Sequence, residues 1–505
     1  MAGKHCLLAV TAVLFFSISL LAQDPRRNSS QPRANRLRKA ATNAVHVGAF
    51  DAPPDEDDTV FVTDTGPGMD TDCTYRGTIT IQIPVKRYAG EVGFNATLRY
   101  ADEMVSSGLI SATAKLSIPA WDVDVDYCCQ IPPEIDKVYF NDQYIGNLSG
   151  TGGYWKLNEF NIPINQVKFP SPGFGGSAIA YNTVRIDIDT ASPGESKWCT
   201  AVDWAALEFK AIAPVVLIHG TNASHTTWDG PFLDYLTSKH VPLDHMIDLE
   251  ANGSILNNAV LLSSKLNEVA QSFGAKKLNL ITHSKGGSDS RAYLNQWYDP
   301  NRFKVLSLYT LDTPSRGTIL SDVIVAARDS QRWTSNDADI RTAISAAIGP
   351  RDPAVRDQTT YNMATFNARF STVPGDVKFY NYGADADLSG NGRIESSETS
   401  ELIPWFVPGF LSTPAANAAY QLLGKAATVR LTYSPAILGS ATVTDIEISS
   451  WNTPFLVNDL VTTARSANAP SGFYLGTKKA NHTTIKSAAT AAEILQRILS
   501  DYPNR

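Results

Sequence analysis

The segment Leu278-Asn-Leu-Ile-Thr-His-Ser-Lys-Gly-Gly287 decides how the C-terminal half of this chain folds. It opens as a near-continuous apolar run, the pattern of a strand whose sheet is covered on both faces. The run ends at Thr282, and two glycines follow Ser284 where a helix has to start. A serine between a buried strand and a helix lies on a sharp turn that lifts its hydroxyl above the sheet. The residues two positions away must then be small. Thr282 stands where G-x-S-x-G has its first glycine, and Gly286 keeps the second. The competing reading is that Ser284 merely caps the helix that begins near Lys285.

Upstream context favours a nucleophile. In Pro214-Val-Val-Leu-Ile-His-Gly-Thr-Asn-Ala223 an apolar strand runs into His219-Gly220. A tight turn there points the amide of Thr221 toward a developing oxyanion, and the amide of Lys285, after the serine, is the second candidate donor. Between and beyond these segments the texture alternates. Strand-like runs at Val215–Ile218, Leu278–Thr282 and Val305–Leu311 are separated by helical stretches near 258–273 and 288–297, and Ile485–Leu499 has helical spacing. Such alternation predicts a mostly parallel sheet with crossover helices.

With these motifs in place, the chain resembles the bacterial lipases of the α/β-hydrolase superfamily over roughly residues 212–490. Thr310-Leu-Asp-Thr-Pro-Ser-Arg-Gly317 is similar to their strand-end Thr-Pro-His-x-Gly segment, with Ser315 in place of the histidine. Tyr361–Phe370 is similar to their Phe-Asn-containing helix. Phe455-Leu-Val-Asn-Asp-Leu-Val461 resembles their Asn-Asp-Gly-Leu-Val segment, without its glycine, and Asn481-His482 resembles their Asn-His. The resemblance implies a triad of Ser284, Asp459 and His482, in the chain order of that fold. Asp385, after the strand 377–382, is the rival acid. His283 belongs to the packing of the elbow and His219 to the oxyanion turn. His225, His240 and His245 come too early in the chain for the base.

A second pattern is Asp387-Leu-Ser-Gly-Asn-Gly-Arg-Ile-Glu-Ser-Ser-Glu398. Oxygen side chains at loop positions 1, 3, 5 and 12, with glycine at 6, are the arrangement of an EF-hand-type calcium loop. Asp387, Ser389, Asn391, the carbonyl of Arg393 and Glu398 are the expected ligands of a structural calcium. The alternative is an ordinary polar loop. The lipases that the chain resembles hold calcium through an aspartate two residues after the histidine; Thr484 stands there.

The first half reads differently. Residues 1–22 have Lys4, an apolar run from Cys6 to Leu21 and the small Ala22, the layout of a signal peptide. A secreted location is therefore expected. Residues 23 to about 45 are polar and basic and the run Asp55–Asp58 is acidic, so 23–58 is expected to be a disordered linker. From 59 to 210, short alternating stretches such as Thr78–Ile83, Lys137–Phe140 and Thr183–Ile188 are divided by turn residues. They predict an all-β sandwich or jelly-roll domain preceding the hydrolase domain of 211–505. The stretch Val138–Phe160, with Asn182–Ile186, resembles galactose-binding-like modules, which implies carbohydrate or polymer binding through Trp121, Tyr154 and Trp155. The alternative places these aromatics in the sandwich core. Cys73, Cys128, Cys129 and Cys199 allow three disulfide pairings.

Composition bounds the function. With 43% hydrophobic and 18% charged residues the chain is globular, and a net charge of −7 argues against nucleic acid as partner. The expected function is hydrolysis of lipid or other hydrophobic carboxylic esters through an acyl-enzyme. The alternatives are a polymer or cell-wall ester hydrolase whose β domain binds the substrate, and a non-catalytic binding protein on a hydrolase scaffold. The regions 318–375 and 403–423, with Trp405, Phe406, Phe410 and Leu411, are candidates for a lid.

Overall fold

The computed structural model describes residues 52–57, 59–64, 74–75, 77–86, 101–123, 133–169, 179–191, 199–329, 333–334, 353–398, 413–434, 442–450 and 454–501. The expected leader, nearly all of the linker, Cys73, Cys128, Cys129 and the apolar residues 405–411 lie outside them.

The N-terminal half is antiparallel. Strands β1 (Val60–Asp64), β2 (Thr74–Tyr75), β3 (Gly77–Lys86), β4 (Ile110–Trp121), β5 (Lys137–Phe140), β6 (Gln143–Asn147), β7 (Trp155–Pro163), β8 (Ile179–Ile188), β9 (Cys199–Val202) and β10 (Trp204–Ala211) form two sheets. One runs β1-β10-β4-β9-β2, with β7 on β4; the other runs β3-β8-β5-β6. The period-2 patterns explain them: Ile79, Ile81, Ile83 and Val85 of β3 and Val184, Ile186 and Ile188 of β8 all point into the core. A short helix at Ala101–Ser106, which the β texture did not announce, packs beside β4 and buries Met104. Cys199 is disulfide-bonded. Tyr154 is 70% exposed, so it does not fill the core, whereas Trp121 and Trp155 are half-buried.

The C-terminal half is built on a second kind of sheet. Strands β11 (Val215–Ile218), β12 (Leu243–Asp244), β13 (Lys277–His283) and β14 (Lys304–Leu311) come first. They are followed by β15 (Trp333–Thr334), β16 (Lys378–Asp385), β17 (Ala426–Ser434), β18 (Thr442–Ser450) and β19 (Phe473–Lys479). The six-stranded sheet is ordered β12-β11-β13-β14-β16-β19, and all of its pairings are parallel. From Leu278 onward β13 is buried at every position, which is why its sequence shows no alternation. Strands β15, β18 and β17 make a small separate sheet.

Helices Ile255–Phe273 and Lys285–Gln296 pack on each other beside this sheet, and the terminal helix Ala488–Asp501 packs against Pro231–Ser238. The helix after Ser284 starts at Lys285, three residues earlier than its apolar period suggests, because the elbow turns directly into it. Strand β10 ends at Ala211 and β11 starts at Val215, and no ladder joins the antiparallel sheets to the parallel one among the described residues. No described helix is long and apolar enough to cross a membrane.

Candidate active site

Ser284 follows the last residue of β13, the central strand next to β11 and β14. Its backbone has φ 55° and ψ −133°, a conformation that L residues other than glycine rarely adopt. Neighbours hold it there: the Ser284 amide donates to the Leu311 carbonyl at 2.9 Å, and Oγ1 of Thr313 donates to the Ser284 carbonyl at 2.7 Å.

The elbow leaves no room for side chains beside it. A Cβ on Gly286 would lie 2.4 Å from the His219 carbonyl oxygen, and one on Gly220 would lie 2.5 Å from the Ser284 Cβ and 3.1 Å from the Lys285 nitrogen. The turn 219–221 and the start of the helix are thus pressed together, with the amides of Thr221 and Lys285 on adjacent backbone. Neither amide donates to a backbone carbonyl outside regular structure among the described residues. Two further contacts fix this turn. Gln358 donates to Thr221 Oγ1 at 2.8 Å, and Nε2 of His219 accepts the Leu249 amide at 2.9 Å. Burial lowers the pKa of His219, which stays a neutral acceptor.

Asp459 and His482 meet on two loops flanking β19. Nδ1 of His482 is 2.5 Å from Oδ2 of Asp459, and both side chains are buried. The other carboxylate oxygen of Asp459 accepts the amides of Val461 at 2.8 Å and Thr462 at 2.6 Å. The His482 amide in turn donates to the Asp459 carbonyl at 3.1 Å, which ties the two loops together. His283, the residue before the nucleophile, reaches the same place: its Nε2 lies 2.6 Å from the His482 carbonyl and its ring 4.7 Å from the His482 ring. Burial, with lesser help from the Lys486 charge, keeps the His283 pKa well below its usual value, so Nε2–H is a neutral donor. His283 thus brings the His482–Asp459 pair to the end of β13 at which Ser284 stands.

The rival acid is occupied elsewhere. Asp385 accepts Tyr420 Oη at 3.0 Å and Lys479 Nζ at 2.7 Å. Two residues escaped the sequence reading. Asp312, inside the segment 310–317 quoted above, is fully buried beside Asp459. Lys486 lies behind Trp228, with Nζ 2.7 Å from both the carbonyl and Oγ1 of Thr227. No motif marks either one; only tertiary burial does.

The loop 387–398 closes on itself. Oδ1 of Asp387 accepts the amides of Gly390 at 2.7 Å and Asn391 at 3.1 Å, while Oδ2 accepts that of Gly392 at 2.7 Å. Burial alone would raise the Asp387 pKa, but these amides outweigh it and hold the carboxyl below its usual range. Glu398 Oε1 accepts the Ser389 amide at 3.0 Å, and its backbone carbonyl accepts Asn481 Nδ2 at 3.4 Å. On the other side, the Ala386 amide donates to the Asn458 carbonyl at 2.8 Å. The loop is thus bonded to the neighbours of both Asp459 and His482. Its all-oxygen donor set and the turn at Gly392 (φ 78°) fit a hard cation such as calcium.

No family model matches the chain. Among solved structures it is similar to a Bacillus licheniformis lipase in its mature form, at 22% identity and a TM-score of 0.39, over 57% of this chain and 92% of that one. It is also similar to a Legionella pneumophila phospholipase (11%, TM-score 0.28, 57% and 63% covered) and to Aspergillus fumigatus lipase B (16%, TM-score 0.20, 21% and 26% covered). These structural neighbours are lipases and a phospholipase.

Proposed function

We propose that this protein is a secreted serine hydrolase of carboxylic esters, with lipid or other hydrophobic esters as substrates. The observation that carries the reading is the strained Ser284 elbow beside a buried His482–Asp459 pair. In this mechanism Ser284 Oγ attacks the ester carbonyl carbon while Nε2 of His482 takes its proton. The oxyanion of the tetrahedral intermediate is bound by the amides of Thr221 and Lys285. Collapse breaks the bond to the alcohol oxygen, which receives the proton from His482. Water then attacks the acyl carbon with His482 as base; the bond to Ser284 Oγ breaks, His482 returns the proton to Oγ, and the carboxylic acid leaves. Asp459 holds the imidazole with its proton on Nδ1 and stabilises the imidazolium.

In the same reading, Asp387, Ser389, Asn391, the Arg393 carbonyl and Glu398 hold a structural calcium that braces the two loops behind the triad. The antiparallel and parallel halves are separate domains. A fluorophosphonate probe tests the core of the proposal. Ser284 should become covalently labelled and Ser284→Ala should not; absence of labelling in the folded wild type leaves only a non-catalytic scaffold. The exposed Tyr154 supports a second reading, in which the β half binds an insoluble polymer that carries the ester. Tyr154→Ala should then lose binding to insoluble polysaccharide while hydrolysing soluble esters at the wild-type rate.

A further inference from the structure

Behind the His482–Asp459 pair lies a second carboxyl group that the reaction outlined above does not use. Asp312 follows β14 with φ 47°, and its amide is pinned to the Tyr382 carbonyl at 3.0 Å. Single ligand-capable atoms of Asp312, Asp459 and His482 all lie within 4.8 Å of one another, and all three residues are buried. Neither oxygen of Asp312 meets a hydrogen-bond donor among the described residues; the Ala384 amide is near but outside hydrogen-bond geometry. The titratable groups facing Asp312 are Asp459 and His482 from their loops and Tyr474 from β19. Among the described residues, no lysine or arginine charge offsets it.

Two carboxylates cannot both stay ionised in such a place, because each would repel the other with little solvent to screen them. The hydrogen bonds decide which one is charged. Asp459 accepts two amides and the imidazole, whereas Asp312 accepts none. His482 Nδ1 and Asp459 Oδ2 are too close together to be ligands of one metal ion. Two ligands of one ion, each about 2.0–2.4 Å from it, would sit roughly 3 Å apart. Nδ1 of His482 and Oδ2 of Asp459 are instead at the 2.5 Å of a direct hydrogen bond.

We propose that Asp312 is a positioning residue that keeps its proton throughout the reaction and donates it to Asp459, so that the pair behind His482 carries a single negative charge. Burial and the neighbouring Asp459 charge, both of which raise the pKa of Asp312 well above the carboxylate range, agree with this. The consequence is a fixed direction for Asp459. Its oxygens are held by donors on every side, and the imidazole sees one oriented anion and not a repelling pair. The inference rests on the triad assignment above for its meaning in catalysis, but not for its test.

The direct readout is infrared. Wild-type protein at pH 8 should show the C=O stretch of a protonated carboxyl group, and Asp312→Asn should lose it. A spectrum with no such band overturns the proposal, whatever the fluorophosphonate result. In kinetics, Asp312→Asn replaces O–H by N–H, leaves the charge unchanged and suits a positive φ. Its kcat should stay within about threefold of wild type, and the acidic limb of the pH–rate profile should not move, since a threefold change is below 1 kcal/mol. Asp312→Ala removes the donor and should lower kcat by about tenfold or more, and a melting curve will reveal the separate backbone cost of alanine at a positive φ. If Asn and Ala behave alike, or if Asn moves the acidic limb to lower pH, Asp312 is not a proton donor to Asp459.

Discussion

The ring nitrogen Nε2 of His283 lies 2.6 Å from the backbone carbonyl of His482, so the residue before the nucleophile holds the loop that carries the base. Spacing between the two histidines, 199 residues apart in the chain, gives no hint of this contact. It makes the serine elbow and the base one mechanical unit, because a shift of β13 moves both.

Removing that clamp should separate chemistry from folding. In His283→Ala the His482 carbonyl loses its donor inside a dry site, a cost of about 1–3 kcal/mol. Steady-state rates normalised to fluorophosphonate-labelled sites should fall about tenfold in kcat, with a smaller change in KM. A wild-type kcat in a folded His283→Ala protein would show that the clamp is dispensable.

Asp459→Asn retains an acceptor for the amides of Val461 and Thr462 but presents the imidazole with a group that favours the wrong tautomer. A drop in kcat of about 10³–10⁴ is expected, with little change in melting temperature. Should Asp385→Asn produce the larger loss, the acid has been misplaced.

The close approach at the elbow is a packing constraint with a built-in control. Gly220→Ala and Gly286→Ala push a methyl to 2.5 Å from Ser284 and 2.4 Å from a carbonyl oxygen, contacts that backbone cannot relieve cheaply. Each should destabilise by about 2–3 kcal/mol or prevent folding. Gly375→Ala meets nothing within 4 Å and should melt like wild type.

If the 387–398 loop holds calcium, the ion binds the folded state and must raise its stability by mass action. Calcium added after chelation should raise the melting temperature of the wild type and leave that of Asp387→Ala unchanged. The temperature dependence of kcat, more than kcat itself, should respond. Silence of both proteins to chelator reduces the segment to a polar loop.

Lys486 gives a pH signature. Burial lowers its pKa to about 7 in the folded protein, against an unfolded value of 10.5. Between these values the unfolded chain binds the proton more readily. The contribution of Lys486 to stability therefore rises with pH from about 7 to about 10.5, by up to ~1.4 kcal/mol per pH unit. Denaturant titrations across that window should show a shallower rise in Lys486→Met than in wild type. Parallel curves would mean that the lysine is charged on both sides of the transition.

Much of this molecule was present in local sequence. The near-continuous apolar run before Ser284, the small residues after it and the alternating Ile79, Ile81 and Ile83 each dictate an element, because strand period and turn sterics act over a few residues. The pattern of the loop 387–398 is equally local, since one loop carries every proposed ligand. Asp459 and His482 became legible only through resemblance to known segments. Their meeting depends on two loops converging around β19, and no rule of spacing encodes that. The helix at 101–106, the exposure of Tyr154, the clamp from His283 and the buried Asp312 were decided by tertiary structure alone. Burial and contact between distant segments set the protonation of a carboxyl or the availability of a ring, and both depend on which side chains the finished fold places within a few ångströms.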